Sequence, residues 1–373
     1  MPRIFTNTDL QSKLEKDGFV LTDFIDSDRV SRLKEFYVEG LSDLNDVGFT
    51  VGLDHHDKTL VKETTDFLIK MLKGSVEQVF QSVKIFTASY VVKHPGSQAI
   101  VPPHQDWTFT NESKFATYTV WIPLVDTTIE NGALCVIPGS HKLFDHPRSS
   151  PSPQSKSAIA DHLFTLFPYA RPIPMKAGQA LVFDNRTIHA SPPNISGQPR
   201  FAVGIGVANE EAPLYHYFQL PNDPSKLKKY EVDEAFFIKF DNRTISELYN
   251  SGGEIEGYKE LGTIQKNVPD LSGVEVESLI RSVEGNIWQE DIVRAIEPIR
   301  TLYQNQNSMT TENPDKETNE LSSSKQEEVI NQDAEPQPKQ EEQQEWVDDR
   351  TFFEKYTIPN IIAEIRWRLT GKT

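Results

Sequence analysis

Residues 102–107 read Pro102-Pro103-His104-Gln105-Asp106-Trp107 and lie between two β-type runs. His104 and Asp106 are two positions apart, so on a strand both side chains point to the same face. His189 follows much later, and Arg200 lies eleven positions after it. Two histidines and one carboxylate leave three faces of a metal ion free, which is typical of non-haem Fe(II) sites. The stretch therefore predicts a metal site formed by His104, Asp106 and His189.

Short β-type runs surround this stretch and are separated by Gly, Pro, Asn and Asp turns. Helices do not alternate with these runs regularly, which favours a β-sandwich or jelly roll over a parallel α/β sheet. An inserted loop and helix are expected at 141–170. The predicted fold class is mainly β with flanking helices. The β-type runs are 85–92, 118–124, 133–137, 180–183 and 201–207.

Helical periodicity flanks the β-type region on its amino-terminal side. Residues 8–46 predict helices around a short strand near 17–21, and 59–80 predict a further helix. Asp26 or Ser27 is suited to cap the second helix. The region 1–210 is therefore expected to be one unit, a β core with N-terminal helices.

The strand signal fades beyond residue 210. We expect 211–303 to be an extension packed on the core, with a helical stretch near 274–299. Residues 304–345 hold eleven acidic and three basic residues, a net of −8, and few large apolar ones, so a disordered acidic linker is expected. Helical periodicity returns in 346–373. That C-terminal helical segment is a candidate for docking on the core, for self-association or for partner binding.

The net charge is −17, from 38 basic and 55 acidic residues, which argues against binding to nucleic acid or to an anionic membrane surface. Cys135 is the one cysteine, so internal disulfides are excluded and a reducing cytosol is the expected compartment. Neither a signal peptide nor a membrane span is visible. The sequence predicts a soluble cytoplasmic protein.

Several other polar residues compete for the same roles. His55-His56-Asp57 also fits the His-x-Asp pattern, but it lies between two predicted helices and is interpreted as a solvated loop. His141 is interpreted as part of a turn. Arg186 is the alternative to Arg200 as a partner for a ligand carboxylate.

The Pro/Asn/Gly-rich connection 192–199 predicts a hairpin that places Arg200 on the strand next to His189. The planar guanidinium group pairs bidentately with carboxylates and stays charged. A buried arginine beside a metal site is costly without a counter-ion, so a ligand carboxylate is the expected partner.

These residues together resemble the phytanoyl-CoA dioxygenase family of Fe(II)- and 2-oxoglutarate-dependent oxygenases, over roughly residues 10–210. The motifs are specific in combination, although each alone is weak. The matching positions are His104-Gln105-Asp106, Trp121, Asn131-Gly132-Ala133-Leu134, Ile137-Pro138-Gly139-Ser140-His141-Lys142, His189 and Arg200.

The resemblance implies a double-stranded β-helix core, the jelly-roll or cupin-like fold. It implies that His104, Asp106 and His189 ligate Fe(II), and that Arg200 anchors the far carboxylate of 2-oxoglutarate. The implied reaction uses O₂ to hydroxylate a small molecule, with succinate and CO₂ as co-products, and the presence of Asp106 favours hydroxylation over halogenation. Members of the family act on different substrates, so the substrate is left unnamed. The other implied co-substrate residues are Gln105, Trp121, Ser191 and, more loosely, Tyr90.

Two alternative functions remain open from sequence. One is a cupin-type metal-binding protein that needs no 2-oxoglutarate, against which Arg200 argues. The other is a non-catalytic scaffold that acts through the C-terminal helix, against which the intact set of metal ligands argues.

Overall fold

The computed structural model describes residues 3–42, 47–152 and 154–311. Within these ranges the α-helices are α1 Thr8–Asp17, α2 Ser27–Gly40, α3 Lys58–Val79, α4 Leu163–Leu166, α5 Glu234–Lys239, α6 Asn242–Asn250, α7 Gly273–Ser282 and α8 Glu290–Thr311. The strands are β1 Phe19–Asp23, β2 Phe49–Val51, β3 Val83–Lys93, β4 Val101–His104, β5 Thr117–Pro123, β6 Cys135–Val136, β7 Arg171–Pro172, β8 Gln179–Asp184, β9 His189–Ser191, β10 Arg200–Asn209, β11 Leu214–Leu220, β12 Asp223–Val232 and β13 Lys259–Gln265.

The largest sheet has six antiparallel strands in the order β1-β8-β5-β10-β3-β2. Alternate side chains of its strands face opposite sides. Val203 and Ile205 of β10 join a hydrophobic cluster with Leu33 of α2 and Leu68 of α3. The N-terminal helices therefore cover one face of this sheet and leave the other face for the interior of the core.

A second antiparallel sheet has four strands in the order β4-β9-β6-β7. A separate cluster joins the two sheets, because Trp121, Leu181 and Phe183 of the six-stranded sheet pack with Val136 of the four-stranded sheet. Two antiparallel sheets packed face to face, with helices outside, form a jelly-roll core. This confirms the predicted fold class.

Helices α1, α2 and α3 and strand β1 lie in the regions predicted for them, while residues 43–46 lie outside the described residues. Asp26 accepts a hydrogen bond from the N–H of Arg29 and caps α2. Asp57 likewise accepts from the N–H groups of Thr59 and Leu60 and caps α3.

The strands of the C-terminal extension contradict the expectation that strand structure fades after residue 210. β11, β12 and β13 form a three-stranded antiparallel sheet. β13 exposes nearly every side chain, so it lacks the apolar alternation from which strands are predicted. Backbone pairing with β12 makes it a strand, and that pairing is a tertiary feature.

The extension packs against the core through aromatic and apolar side chains, among other contacts. Phe237 of α5 contacts Phe86 of β3 and Phe109, with ring centroids 5.2 and 5.5 Å apart. Val276 and Ile280 of α7 share a buried cluster with the inserted segment before β7. These contacts fix the extension beside the metal-ligand residues described below.

Helix α8 continues to Thr311, whereas the disordered linker was expected to begin at residue 304. The backbone hydrogen bonds of α8 continue into a polar stretch that the composition alone assigned to the linker. The rest of the linker and the C-terminal helical segment lie outside the described residues. Among the residues that are described, no helix is long and apolar enough to span a membrane.

Candidate metal and co-substrate site

The two candidate histidine ligands lie directly opposite each other on neighbouring strands. His104 ends β4 and pairs in register with His189 at the start of β9, and their ring centroids are 4.1 Å apart. Asp106 lies beyond the end of β4, so the expectation that both residues of the His-x-Asp pair lie on one strand is wrong. Its N–H donates to the carbonyl of Asn185 at 3.0 Å, which directs the chain after β4 back toward the histidines.

One ligand atom from each of His104, Asp106 and His189 lies within 4.8 Å of the others. Three such atoms at this separation can bind one metal ion together. Within the described ranges this is the one cluster of three or more His, Cys, Asp or Glu side chains with that geometry.

Main-chain carbonyls fix the orientation of both imidazoles. Nδ1 of His104 lies 2.8 Å from the carbonyl oxygen of Pro102, and Nδ1 of His189 lies 3.0 Å from that of Thr187. A carbonyl only accepts, so each Nδ1 carries the proton and each Nε2 keeps its lone pair free. This is the tautomer that a metal-ligating histidine needs.

The Asp106 carboxylate is oriented by two neighbours that sequence reasoning missed. Its Oδ2 accepts from Thr119 Oγ1 at 2.9 Å and from Asn185 Nδ2 at 2.6 Å. Asn185 Nδ2 also donates to Thr119 Oγ1 at 2.8 Å. The other oxygen, Oδ1, lies 3.7 Å from Nε2 of His189 and faces the ligand group. Since Thr119 precedes Trp121 by two positions on β5, the strand period could have revealed that it shares the interior face.

The charges of the group suit metal binding at neutral pH. Desolvation and the neighbouring His189 lower the pKa of His104 to about 4, against the opposing effect of Asp106. Burial raises the pKa of Asp106, but the two histidines and the hydrogen bonds from Thr119 and Asn185 outweigh it, and the net shift is downward. A neutral His104 and an ionised Asp106 are the forms that bind a cation.

Arg200 does not lie on a strand next to His189, so the predicted hairpin is wrong. β9 belongs to the four-stranded sheet, while β10 pairs with β3 and β5 in the six-stranded sheet. The connection crosses between the sheets because Pro192 and Pro193 have no N–H to extend a ladder. Asn194 Nδ2 then closes the crossing by donating to the carbonyls of Lys93 and Gln198 at 2.9 and 2.7 Å.

Arg200 nevertheless meets the end of β9 across the interior. It is 1% exposed, and its Nη1 donates to the carbonyl of Gly132 and to Ser191 Oγ, the latter at 3.3 Å. Its guanidinium carbon lies 4.9 Å from the Trp121 ring centroid. Among the residues that the structure describes, none accepts a hydrogen bond from Nε of Arg200. A buried guanidinium group with an unused donor suits an anionic ligand.

Burial lowers the pKa of Arg200 to about 9, with Cys135 acting in the opposite direction. The guanidinium group therefore keeps its positive charge at neutral pH.

The remaining predicted co-substrate residues divide between the two faces of the six-stranded sheet. Ser191 Oγ donates to the Gly132 carbonyl at 2.6 Å, next to Arg200. Trp121 lies in the cluster between the sheets. Gln105 lies between the two candidate ligands, and its Nε2 donates to the carbonyl of Arg186 at 2.5 Å. Ser191 and Trp121 therefore lie beside Arg200, and Gln105 lies beside the ligand group.

Tyr90 is placed on the opposite face, which contradicts the looser match. It is paired with Val203 on β10, and its ring lies 5.0 Å from that of Tyr37 in α2. Its hydroxyl donates to the carbonyl of Leu33 at 2.7 Å. Directly opposite residues of an antiparallel pair share a face, so Tyr90 faces the helices with Val203, away from Arg200.

The competing polar residues have other partners. Arg186 Nε and Nη2 donate to the Asp184 carboxylate at 2.8 and 2.6 Å, so Arg186 is paired within its own turn. His141 lies in a 3₁₀ turn, with Nε2 at 3.3 Å from the carbonyl of Glu15. Asp57 caps α3, a role that the interpretation of this stretch as a solvated loop did not include.

A cleft of about 470 Å³ opens beside the ligand group. His104, Gln105 and Asp106 line one part of it, and Trp107 and Phe109 supply aromatic surface. Further lining residues come from the inserted segment and from α6, namely Pro147, Arg148, Ser149, Ser152, Ser155, Lys156, Ser157, Ala160 and Asn242. Its volume is that of a small-molecule site, for which about 300–1,000 Å³ is usual.

The fold and the site define the class of protein: a jelly-roll protein with a two-histidine, one-carboxylate group at the edge of its interior. Residues 18–202 match the family model described as phytanoyl-CoA dioxygenase. Through these residues the chain belongs to the phytanoyl-CoA dioxygenase family.

Curated relatives match over limited segments. The chain is 31% identical over 141 residues to a phytanoyl-CoA dioxygenase of Arabidopsis thaliana, covering 34% of this chain and 45% of that protein. It is 30% identical over 157 residues to phytanoyl-CoA dioxygenase 1 of Oryza sativa subsp. japonica, covering 37% and 51%. It is 27% identical over 187 residues to phytanoyl-CoA dioxygenase domain-containing protein 1 of Danio rerio, covering 48% and 61%. The matches thus span about half the length of these relatives.

Two solved structures are similar at low identity. AviO1 from Streptomyces viridochromogenes Tue57 is 23% identical with a TM-score of 0.38, covering 56% of this chain and 97% of that chain. The non-heme alpha ketoglutarate dependent epimerase SnoN is 18% identical with a TM-score of 0.37, covering 56% and 84%.

Proposed function

We propose that the protein is an Fe(II)- and 2-oxoglutarate-dependent dioxygenase that hydroxylates a small molecule, with succinate and CO₂ as co-products. One observation carries the proposal: a His104–Asp106–His189 group lies in the same interior as a buried arginine with an unused donor. A metal site alone would fit many proteins. A metal site together with a buried cation for a dicarboxylate fits this class.

The residues present fit the metal. Nε2 of each histidine and Oδ1 of Asp106 would hold the metal, since Nδ1 and Oδ2 are already engaged. Fe(II) held by three protein ligands would still be able to bind a 2-oxo acid and O₂.

The residues present also fit 2-oxoglutarate. Arg200 and Ser191 would hold its far carboxylate, and Trp121 would pack along the guanidinium group that holds it. Gln105 lies between two of the ligands and lines the cleft, where it can orient bound molecules.

Iron with bound 2-oxoglutarate and O₂ supplies the oxidising chemistry, through decarboxylation of the co-substrate to succinate. The chain contributes placement and exclusion of water. The carbonyls of Pro102 and Thr187 hold the imidazole tautomers, while Thr119 and Asn185 hold the carboxylate. Trp107 and Phe109 at the cleft provide an apolar surface on which a substrate can be held beside the ligand group.

The test is anaerobic addition of Fe(II) and then 2-oxoglutarate, followed by visible absorption. A metal-to-ligand charge-transfer band is expected, and it should weaken at a given 2-oxoglutarate concentration in Arg200→Met. The exposed Arg171, changed to Met, is the matched control and should leave the band unchanged. If the wild-type protein binds Fe(II) and gives no band, the protein is a metal-binding protein that does not use 2-oxoglutarate. If the protein also fails to bind Fe(II), a non-catalytic scaffold is the better description.

Hydroxylation itself is tested separately. Under air, small metabolites that fill the cleft are screened for substrate-stimulated succinate formation, with the hydroxylated product identified by an increase of one oxygen in mass. Succinate formed without an oxygen gained by substrate would argue against hydroxylation while preserving the co-substrate assignment.

A further inference from the structure

A second buried cationic side chain lies beside Arg200. Lys93 ends β3 and stands directly opposite Arg200 in the β3–β10 register, so both side chains project from the same face of the sheet. Lys93 is 0% exposed. Removing an ammonium group from water costs several kcal/mol, which only well-placed acceptors offset.

The acceptors of Lys93 join the two strands that carry the histidines. Its Nζ donates to the carbonyls of Ala99, Pro192 (2.7 Å) and Ser191 (3.3 Å). Ala99 lies just before β4, which ends at His104. Ser191 ends β9, which begins at His189. One ammonium group therefore ties the segment before β4 to the end of β9.

The stem of Lys93 also packs against the residue that receives Arg200. Gly132 has φ of +75°, and a Cβ there would lie 2.6 Å from Cδ of Lys93 and 2.7 Å from the carbonyl oxygen of Pro192. The Gly132 carbonyl accepts from both Arg200 Nη1 and Ser191 Oγ. Gly132 thus lies in contact with both Lys93 and Arg200, and there is no space for a side chain at position 132.

We propose that Lys93 is a positioning residue for the co-substrate, which fixes Gly132 and Ser191 so that Arg200 and Ser191 receive the far carboxylate of 2-oxoglutarate. This inference rests on the proposed function. It also has an electrostatic part, because a second buried positive charge on the same face favours a dicarboxylate over a monocarboxylate.

The test compares two 2-oxo acids that differ only at the far end. 2-Oxopentanoate has the same carbon chain length as 2-oxoglutarate but ends in a methyl group, so it can bind the metal without needing Arg200. Dissociation constants are measured by titration of the charge-transfer band in anaerobic Fe(II)-loaded protein. Lys93→Met keeps the length of the stem and removes the charge and the donors. Lys84→Met, on the same strand, is the matched control.

In Lys93→Met the dissociation constant of 2-oxoglutarate is expected to rise at least ten-fold. The dissociation constants of 2-oxopentanoate and Fe(II) should stay within about three-fold of wild type, as should all three in Lys84→Met. Lys93→Arg should recover part of the affinity for 2-oxoglutarate. An unchanged affinity for 2-oxoglutarate in Lys93→Met overturns the inference, and so does an equal loss for both 2-oxo acids, since that marks a general structural role.

A second variant covers the case in which Lys93→Met does not fold. Gly132→Ala should displace the Lys93 stem and the Pro192 carbonyl and weaken 2-oxoglutarate binding in the same selective way. Wild-type affinity in Gly132→Ala would overturn the inference. A wild-type protein that gives no band with either 2-oxo acid refutes the proposed function instead, so the two failures are distinct.

Discussion

Thr119→Val tests whether the orientation of the Asp106 carboxylate controls metal binding. The substitution keeps the shape of the side chain and removes the hydroxyl that donates to Oδ2 at 2.9 Å and accepts from Asn185 at 2.8 Å. A hydrogen bond to a charged group is worth about 1.5–3 kcal/mol. At 1.4 kcal/mol per factor of ten, the metal dissociation constant should rise by about 10- to 100-fold. Losses of this size are usual when a partner of a metal ligand is removed.

Thr117→Val is the matched control. Thr117 lies two positions earlier on β5 and shares the same face, where it is buried and Thr119 is half-buried. Among the residues that the structure describes, none forms a hydrogen bond with Oγ1 of Thr117. Its carbonyl, which accepts from the N–H of Asn185, is retained in the variant. Binding of Fe(II), or of Co(II) as an air-stable probe, is measured by calorimetry under identical conditions. Thr117→Val should bind within about three-fold of wild type. Wild-type affinity in Thr119→Val would refute the reasoning.

Three further predictions follow from placements in the structure. Tyr90→Phe removes the hydrogen bond to the carbonyl of Leu33 and should cost about 1 kcal/mol of unfolding free energy, measured in urea. The affinity for 2-oxoglutarate should stay at the wild-type value. A loss of 2-oxoglutarate affinity without a loss of stability would show that Tyr90 contacts the co-substrate. Burial lowers the pKa of His216 to about 3, so between pH 6.5 and 3 the unfolded state binds more protons and stability falls as pH falls. His216→Phe should therefore reduce the loss of unfolding free energy between pH 6.5 and 4.5 by about 2–3 kcal/mol, at 1.36 kcal/mol per pH unit, and an unchanged slope would contradict the assignment. Leu181→Ala, in the cluster between the two sheets, should cost about 2–5 kcal/mol of unfolding free energy, and a loss below 1 kcal/mol would show that the interior collapses around the gap.

Local patterns predicted the elements well where each element has a face buried against the core. The helices near the amino terminus and the strands around the ligand group have such faces, and their caps and turns are local chemistry. β13 was missed because nearly all of its side chains are exposed, so only the pairing of its backbone with β12 makes it a strand. Likewise α8 runs past residue 304 into a stretch whose composition indicated a linker.

The candidate site was found from sequence as a set of residues but not as an arrangement. The interior contains the expected residues, namely His104, Asp106, His189, Arg200 and Ser191. The elements that place them differ from those predicted. Asp106 is held by the Asn185 carbonyl after β4 has ended, and Arg200 reaches Ser191 from the opposite sheet. Successive side chains of a strand face opposite sides of the sheet, so an error of one residue in a match places a side chain on the wrong face. The loose match at Tyr90 could not decide between the interior face and the face covered by helices.

The sequence by itself determined the chemical types available, namely two histidines, one aspartate, one distant arginine and a β-rich framework around them. These features could be recognised because residue spacing and composition describe neighbours along the chain. Only the tertiary structure decided which strands pair, which face each side chain takes and which polar atoms remain unused. The hydrogen bonds of Asn185 to Asp106, and of Lys93 to the carbonyl of Pro192, join residues far apart in sequence. Such contacts depend on long-range pairing of the two sheets, which no local periodicity encodes.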